Sequence, residues 1–108
     1  MLEYLKIKEN QKEFNCIKIK VFYDKGDNNY YRPRKRGYYL SATPCKKYKS
    51  SGVAMELVSP FDGSKMFLKE VKRKSAGAEK EAEGIAKKYK KALVQLVVQE
   101  NDLELEEV

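Results

Sequence analysis

Apolar and polar residues alternate with a period of two in four stretches of the chain: residues 16–23, 38–43, 53–58 and 65–71. Such alternation is typical of strands that bury one face and leave the other uncovered. The predicted core positions on these strands are Ile17, Ile19, Val21, Tyr23, Tyr38, Leu40, Ala42, Val53, Met55, Leu57, Met66 and Leu68. A shorter alternation over residues 4–9 predicts an edge strand with Leu5 and Ile7 inward.

Polar and turn-forming segments separate these strands. Residues 10–13 are a polar break, residues 24–29 open a long loop, and residues 59–63 predict a turn. We expect Pro44 to end its strand, because proline cannot donate a hydrogen bond to a sheet. Residues 46–52 would then form a second basic loop.

The period changes to that of a helix after Ser75, which is a candidate N-cap. Apolar residues recur at three- and four-residue spacing up to about Gln99 and predict one buried stripe. The stripe consists of Ala82, Ile85, Ala86, Tyr89, Leu93, Leu96 and Val97.

These elements predict an α+β fold, in which a curved antiparallel sheet of four or five strands is followed by one long C-terminal helix. A chain of 108 residues has room for one modest core. We therefore expect a single domain over residues 1–100 and an acidic C-terminal tail over residues 101–108.

Charge is unevenly distributed along the chain. The net charge is +7 and the sequence pI is about 9.3. Residues 18–50 contain ten Lys or Arg and two Asp, whereas residues 100–108 contain five acidic residues and no basic one. A strongly basic segment favours a polyanionic partner such as nucleic acid.

The segment over residues 30–39 concentrates this charge between two pairs of tyrosines. Its cations are Arg32, Arg34, Lys35 and Arg36. Arginine suits phosphate and also stacks on bases, and tyrosine offers a ring for a base. The alternative is a solvated hairpin loop whose charges only maintain solubility.

A single helix can cover only one face of the predicted sheet, so the other face must meet solvent, a ligand or another subunit. That face would carry Lys18, Lys20, Phe22, Tyr39, Ser41, Thr43, Phe67 and Lys69. Cations interleaved with rings are typical of surfaces that bind single-stranded nucleic acid. The alternative is that the rings form cross-strand pairs or a homodimer interface. The predicted contact residues are Arg32, Arg34, Lys35, Arg36, Lys18, Lys20, Tyr39 and Lys69.

The order of four strands and one helix over residues 14–99 resembles the single-stranded-DNA-binding transcriptional-coactivator domains and their PUR and Whirly relatives. That resemblance implies a homodimer that holds single strands on sheet surfaces and basic hairpin loops. The segments at residues 20–26, 36–41 and 68–74 also resemble small uncharacterised proteins carried by mobile elements of Gram-positive bacteria, which implies a genomic setting and no activity.

Catalysis finds little support in the sequence. The chain has two separated cysteines and no histidine, so a zinc site would lack ligands. Asp62 with Glu70 and Lys72 mimics a metal-nuclease pattern, but eight residues of strand would separate the carboxylates by about 25 Å. We therefore predict a protein that is not an enzyme and uses no metal, cofactor or small-molecule substrate.

The sequence predicts a nucleic-acid-binding accessory protein that prefers single-stranded DNA or RNA and forms a homodimer. The alternative is a protein–protein adaptor that uses an open sheet face or an edge strand. Without a signal peptide or an apolar run long enough to span a membrane, we expect a cytoplasmic protein. A further hypothesis places the acidic tail transiently on the basic surface, where it would compete with nucleic acid.

Overall fold

The computed structural model describes residues 1–8, 14–58 and 63–106. Its elements are β1 (Leu2–Lys6), β2 (Cys16–Asp24), β3 (Gly37–Ser50), β4 (Val53–Val58), β5 (Ser64–Glu70) and α1 (Ala76–Asn101). The predicted α+β class is confirmed: five antiparallel strands form an open sheet, and one long helix follows them. The polar break at residues 10–13 and most of the turn at residues 59–63 lie outside the described residues.

Strand β3 is the centre of the sheet. One of its edges pairs with β2, which in turn pairs with β1. Its other edge is shared by two strands, because residues 37–42 pair with β5 and residues 45–50 pair with β4. Every pairing is antiparallel, as the short connections between these strands favour.

The expectation that Pro44 ends its strand is wrong, because β3 continues through it to Ser50. The carbonyl oxygen of Cys45 accepts a hydrogen bond from Asn15 on the β2 side. Since neighbouring residues of a strand point their backbone groups to opposite edges, Pro44 faces the other edge. There the pairing with β5 has ended at Ala42 and the pairing with β4 starts at Cys45, so none of the described residues pairs with Pro44 on that edge and requires its missing N–H.

Strand β4 also differs from expectation. Residues 46–50 belong to β3 instead of a loop, and Ser51 and Gly52 make a tight hairpin turn with φ of 51° and 79°. Val53, Met55 and Leu57 are 62%, 47% and 48% exposed, so their predicted burial is wrong. The reason is that α1 packs against β2, β3 and β5, and in the described part of the chain it makes no contact with β4.

The core lies between α1 and one face of β2, β3 and β5. The predicted inward positions Ile17, Ile19, Tyr38, Leu40 and Ala42 are confirmed, because each is at most 1% exposed. Val21 and Ile7 are also buried, and Leu5, Tyr23, Met66 and Leu68 pack against the same cluster. In the part of the chain that the structure describes, no helix covers the other face of the sheet, which is called the open face below.

Helix α1 begins where the sequence predicts. The side chain of Ser75 accepts a hydrogen bond from the backbone N–H of Ala78 at 3.2 Å, which confirms the N-cap. The buried stripe is rotated from the predicted one, because Tyr89 and Leu96 are 46% and 45% exposed. The residues buried on the helix are Ala82, Ala86, Leu93, Val94 and Val97.

The residues that follow α1 pack on the sheet edge next to β1. Leu103 is 7% exposed and belongs to the core, and Leu105 packs against it. Backbone hydrogen bonds of 2.8 and 3.1 Å join Lys8 to Glu104 and Glu106 to Lys6. The structure therefore places residues 103–106 beside β1 and away from the basic loop, and Glu106 lines a cavity there together with Lys6 and Lys47. The hypothesis that the tail competes for the basic loop or the sheet face stays a prediction.

Candidate nucleic-acid interface

Three aromatic rings form a row across the open face. The register pairs Phe22 on β2 with Tyr39 on β3, and Tyr39 with Phe67 on β5. The Phe22 and Tyr39 ring centroids are 5.7 Å apart with an interplanar angle of 22°. The Tyr39 and Phe67 centroids are 5.3 Å apart, with the rings inclined at 71°. Strand pairing alone therefore brings three rings from distant parts of the sequence together.

Three exposed lysines surround these rings. The ammonium nitrogens of Lys20 and Lys65 lie 5.4 and 5.9 Å from the centroid of Phe22. The ammonium nitrogen of Lys35 lies 5.5 Å from the centroid of Phe67. Each distance is within the range of a cation–π contact. These six residues, Phe22, Tyr39, Phe67, Lys20, Lys35 and Lys65, are called the aromatic–lysine cluster.

Lys35 connects the cluster to the basic loop, which comprises residues 25–36. The hydroxyl of Tyr39 donates a hydrogen bond of 2.7 Å to the carbonyl oxygen of Lys35. Burial, together with the negative charge of Asp24, raises the pKa of Tyr39. The phenol therefore stays protonated near neutral pH and keeps the end of the loop beside the rings.

Arg34 and Arg36 hold the basic loop in shape. Arg34 Nε donates to Asp24 at 3.2 Å, and its Nη1 lies 3.8 Å from an oxygen of Asp27. Arg36 Nε donates to the carbonyl oxygen of Lys25 at 2.9 Å. Two backbone hydrogen bonds of 2.9 and 2.8 Å close the loop between Asp27 and Arg34. These two predicted contact residues therefore have structural partners in the loop and at the end of β2.

The tip of the loop is the most exposed aromatic segment. Tyr30 and Tyr31 are 91% and 86% exposed, and their rings meet edge to face at 5.4 Å. Arg32, which is also exposed, follows them. The tip thus offers two rings and one cation away from the sheet. A groove of about 510 Å³ lies under the loop, lined by Lys25, Gly26, Asp27, Asn28, Pro33, Arg34, Lys35, Arg36 and Glu70.

Lys18 lies on the open face as predicted, but its charge is paired. Its ammonium donates to Glu56 at 2.9 Å, and the hydroxyl of Tyr4 donates to the other oxygen of Glu56 at 2.8 Å. The Lys47 ammonium lies 3.7 Å from the centroid of Tyr4. These four residues, Tyr4, Lys18, Lys47 and Glu56, are called the polar cap.

Hydrogen bonding shifts the titration of the polar cap. The hydrogen bond from Lys18 lowers the pKa of Glu56, and the same contact raises the pKa of Lys18. The hydrogen bond to Glu56 also raises the pKa of Tyr4. All three groups therefore keep their hydrogen-bonding forms across the neutral range. Lys18 is less available to a phosphate than Lys20 because Glu56 already neutralises it.

The prediction that Lys69 lies on the open face is wrong. The register shifts between Tyr38 and Tyr39, so Lys69 pairs with Tyr38 on the helix side and forms an ion pair with Glu81 of α1. This bulge breaks the alternation that would place Lys69 on the same side as Phe67. The strands also approach closely here, since a Cβ on Gly37 would lie 2.0 Å from the carbonyl oxygen of Lys69.

The structure thus brings Lys20, Tyr39 and Lys35 together and leaves Arg32 at the loop tip. The sequence interpretation did not include Lys65 among the contact residues, although the alternation places it on the same face as Phe67. In the described residues there is no group of three or more His, Cys, Asp or Glu that could hold a metal ion. Asp62 of the nuclease-like pattern lies outside those residues.

Comparisons with known proteins give no relative: no protein-family model, no curated protein and no solved structure matches the chain. Within residues 1–8, 14–58 and 63–106, no helix is long and apolar enough to cross a membrane.

Proposed function

We propose that this protein is a cytoplasmic, non-catalytic accessory factor that binds nucleic acid, preferring single-stranded DNA or RNA, on the open face of its sheet. The observation that carries the proposal is the row of three rings surrounded by three lysines. Aromatic rings stack on bases that are not paired, whereas a duplex hides the base faces. Lysines beside the rings would neutralise the phosphates that accompany those bases.

The basic loop extends this surface. Lys35 belongs to both the loop and the cluster, and Arg32 with two exposed tyrosines lies farther out at the tip. A single strand that crosses the three rings could continue toward the tip and meet further positive charge. In this proposal, Arg34 and Arg36 chiefly maintain the loop and contribute long-range attraction.

The decisive experiment compares two variants that lose the same charge. The first carries Lys20→Gln, Lys35→Gln and Lys65→Gln, and the control carries Lys87→Gln, Lys88→Gln and Lys91→Gln on the exposed side of α1. Fluorescence anisotropy with a labelled single-stranded oligonucleotide measures both affinities. We expect the first variant to bind at least about tenfold more weakly and the control to bind within about twofold of the parent. Equal losses would show that binding follows net charge and does not use this cluster.

A second candidate function rests on the β3–β4 hairpin. Tyr48, Met55, Leu57 and Val53 expose apolar surface there, and Tyr48 lies directly opposite Met55. We propose that this strip forms the homodimer contact. A protein–protein adaptor would instead use it for a different chain. Sedimentation of the parent protein and of the Met55→Glu variant distinguishes these possibilities. A parent protein that is a dimer, together with a variant that is a monomer, supports self-association. A parent protein that is already a monomer favours the adaptor.

A further inference from the structure

Two thiols lie beside each other beneath the polar cap. Cys16 and Cys45 are the only cysteines of the chain, and they are directly opposite each other in the pairing of β2 with β3. Their sulfur atoms are 2.8 Å apart, and the Cys16 sulfur also lies 3.2 Å from the carbonyl oxygen of Cys45. Both side chains are buried, with 3% and 0% of the residue surface exposed.

The position of the two strands suits a covalent bond between these sulfurs. Directly opposite residues of an antiparallel pair have Cα atoms about 4.5 or 5.5 Å apart. A disulfide requires Cα atoms about 4.4–6.8 Å apart, with side chains directed toward each other. The contact between the thiols shows that the side chains already have this direction. The bond could therefore form without moving either strand.

A cavity provides a route to one of the thiols. It has a volume of about 370 Å³ and is lined by Tyr4, Lys6, Ile7, Asn15, Cys16, Lys47 and Glu106. Cys45 is absent from this lining and is covered completely. Among the lining residues, the two ammonium groups of Lys6 and Lys47 outnumber the single carboxylate of Glu106, so the cavity has a net positive charge that favours a small anionic reagent. Cys16 is thus the thiol that a reagent would meet first.

We propose that Cys16 and Cys45 form a site of reversible thiol oxidation, in which a small anionic disulfide entering the cavity converts the pair into a cross-strand disulfide. Cys16 releases its proton to solvent, and the thiolate attacks the reagent, breaking its S–S bond and expelling one thiol. Cys45 then loses its proton and attacks the Cys16 sulfur of the mixed disulfide, expelling the second thiol. The two protein thiols are oxidised and the reagent is reduced to two thiols.

The environment of Cys45 fits the second, resolving role. Burial raises the pKa of the Cys45 thiol, and the hydrogen bond to Cys16 adds to that rise. Cys45 is therefore a poor nucleophile toward reagents in solution. Once Cys16 carries a mixed disulfide, however, the neighbouring position of Cys45 makes its attack intramolecular.

The test equilibrates the full chain in mixtures of reduced and oxidised glutathione, followed by acid quenching, alkylation of free thiols under denaturing conditions and mass spectrometry. We expect a species that is lighter by two hydrogen atoms and resists alkylation, and that reverts when the buffer is made reducing. Its melting temperature should rise by about 10 °C or more, because the cross-link closes the segment that contains the basic loop. Two alkylated thiols at every buffer ratio would overturn the proposal.

Two single substitutions check the order of events. Cys45→Ser should accumulate a mixed disulfide on Cys16, since the resolving thiol is missing, whereas Cys16→Ser should leave Cys45 unmodified while the chain is folded. Mixed disulfide at equal levels in both variants would contradict the assigned roles. The experiment on the unaltered chain decides the proposal even if either substitution impairs folding.

Discussion

Glu56 is the residue that joins the strands of the open face at the polar cap. Its carboxylate accepts hydrogen bonds from Lys18 of β2 and Tyr4 of β1, while Glu56 itself lies on β4. The side chains of Lys18 and Glu56 are only 25% and 23% exposed, so water screens this pair less than it screens a surface ion pair. We therefore expect the carboxylate to stabilise the sheet.

Replacing Glu56 with glutamine should lower the free energy of unfolding by about 1–2 kcal/mol at pH 7. The pKa of Glu56 is lower in the folded state than in the unfolded chain. The carboxylate therefore contributes fully to the free energy of unfolding above pH 4.5, its ordinary pKa, and this contribution is lost as the pH falls through its lower pKa in the folded state. The pKa of Lys18 is raised in the folded state. The ammonium group therefore contributes fully to the free energy of unfolding below pH 10.5, its ordinary pKa, and this contribution is lost as the pH rises through its higher pKa in the folded state.

Urea unfolding of the parent and Glu56→Gln from pH 3 to pH 11 measures this difference. It should be constant from about pH 5 to pH 10 and should narrow toward both ends of the series. A difference that stays the same at every pH would show that the substitution acts through packing and not through charge.

Single residues also show where sequence reasoning reached its limit. Alternation correctly placed Lys20 and Tyr39 on the open face, because these strands pair without a break in register. It misplaced Lys69 because one extra residue at the bulge moves the following side chains to the other face of the sheet, and the local sequence pattern does not predict that bulge. It also could not reveal that Lys18 faces Glu56, since their contact depends on how three strands align.

At the scale of elements, the helix offers a direct test of the core. Leu93 is 3% exposed and Leu96, one position off the buried stripe, is 45% exposed. Leu93→Ala should cost on the order of 2–5 kcal/mol of unfolding free energy, as truncations in a core do. Leu96→Ala, which removes the same atoms, should cost less than about 1 kcal/mol.

Denaturant titration of the two leucine variants provides the measurement. If both variants lose the same amount of unfolding free energy, Leu96 is covered, either because the helix is rotated differently or because a second subunit packs on it. Repeating the titration at several protein concentrations would distinguish these cases, because only a subunit contact depends on concentration.

The helix and β4 show what hydrophobic periodicity can and cannot predict about an element. Periodicity tells which residues of an element share a face, and it correctly predicted the helix, its N-cap and most strands. It does not tell whether another element covers that face. Val53, Met55 and Leu57 do share a face, but the hairpin extends past the helix and nothing in the described chain covers them.

The segment after the helix behaves as part of the fold. Removing residues 103–108 should lower the melting temperature by on the order of 10 °C, because Leu103 would leave the core and the hydrogen bonds to Lys6 and Lys8 would be lost. The matched control, Glu104→Gln with Glu106→Gln, removes charge and keeps the packing, so its melting temperature should change little. A truncated chain with the melting temperature of the parent and a higher affinity for nucleic acid would instead support the competing-tail hypothesis.

Across the whole molecule, the sheet separates an apolar surface under α1 from an open face that carries rings and charged side chains. One face is covered by α1 and stabilises the fold, whereas the open face has the aromatic–lysine cluster at one end and the polar cap at the other. The basic loop joins the cluster at its exposed end. This arrangement concentrates positive charge beside aromatic rings, which net charge alone could not have predicted.

The salt dependence of binding to a single-stranded oligonucleotide shows whether the aromatic–lysine cluster and Arg32 neutralise phosphates. If Lys20, Lys35, Lys65 and Arg32 each neutralise one phosphate, the logarithm of the association constant should fall with the logarithm of salt concentration with a slope of about −3. A duplex of the same length should bind more weakly, because its bases are not free to stack. A slope near zero, or no binding at about 50 mM salt, would contradict the account.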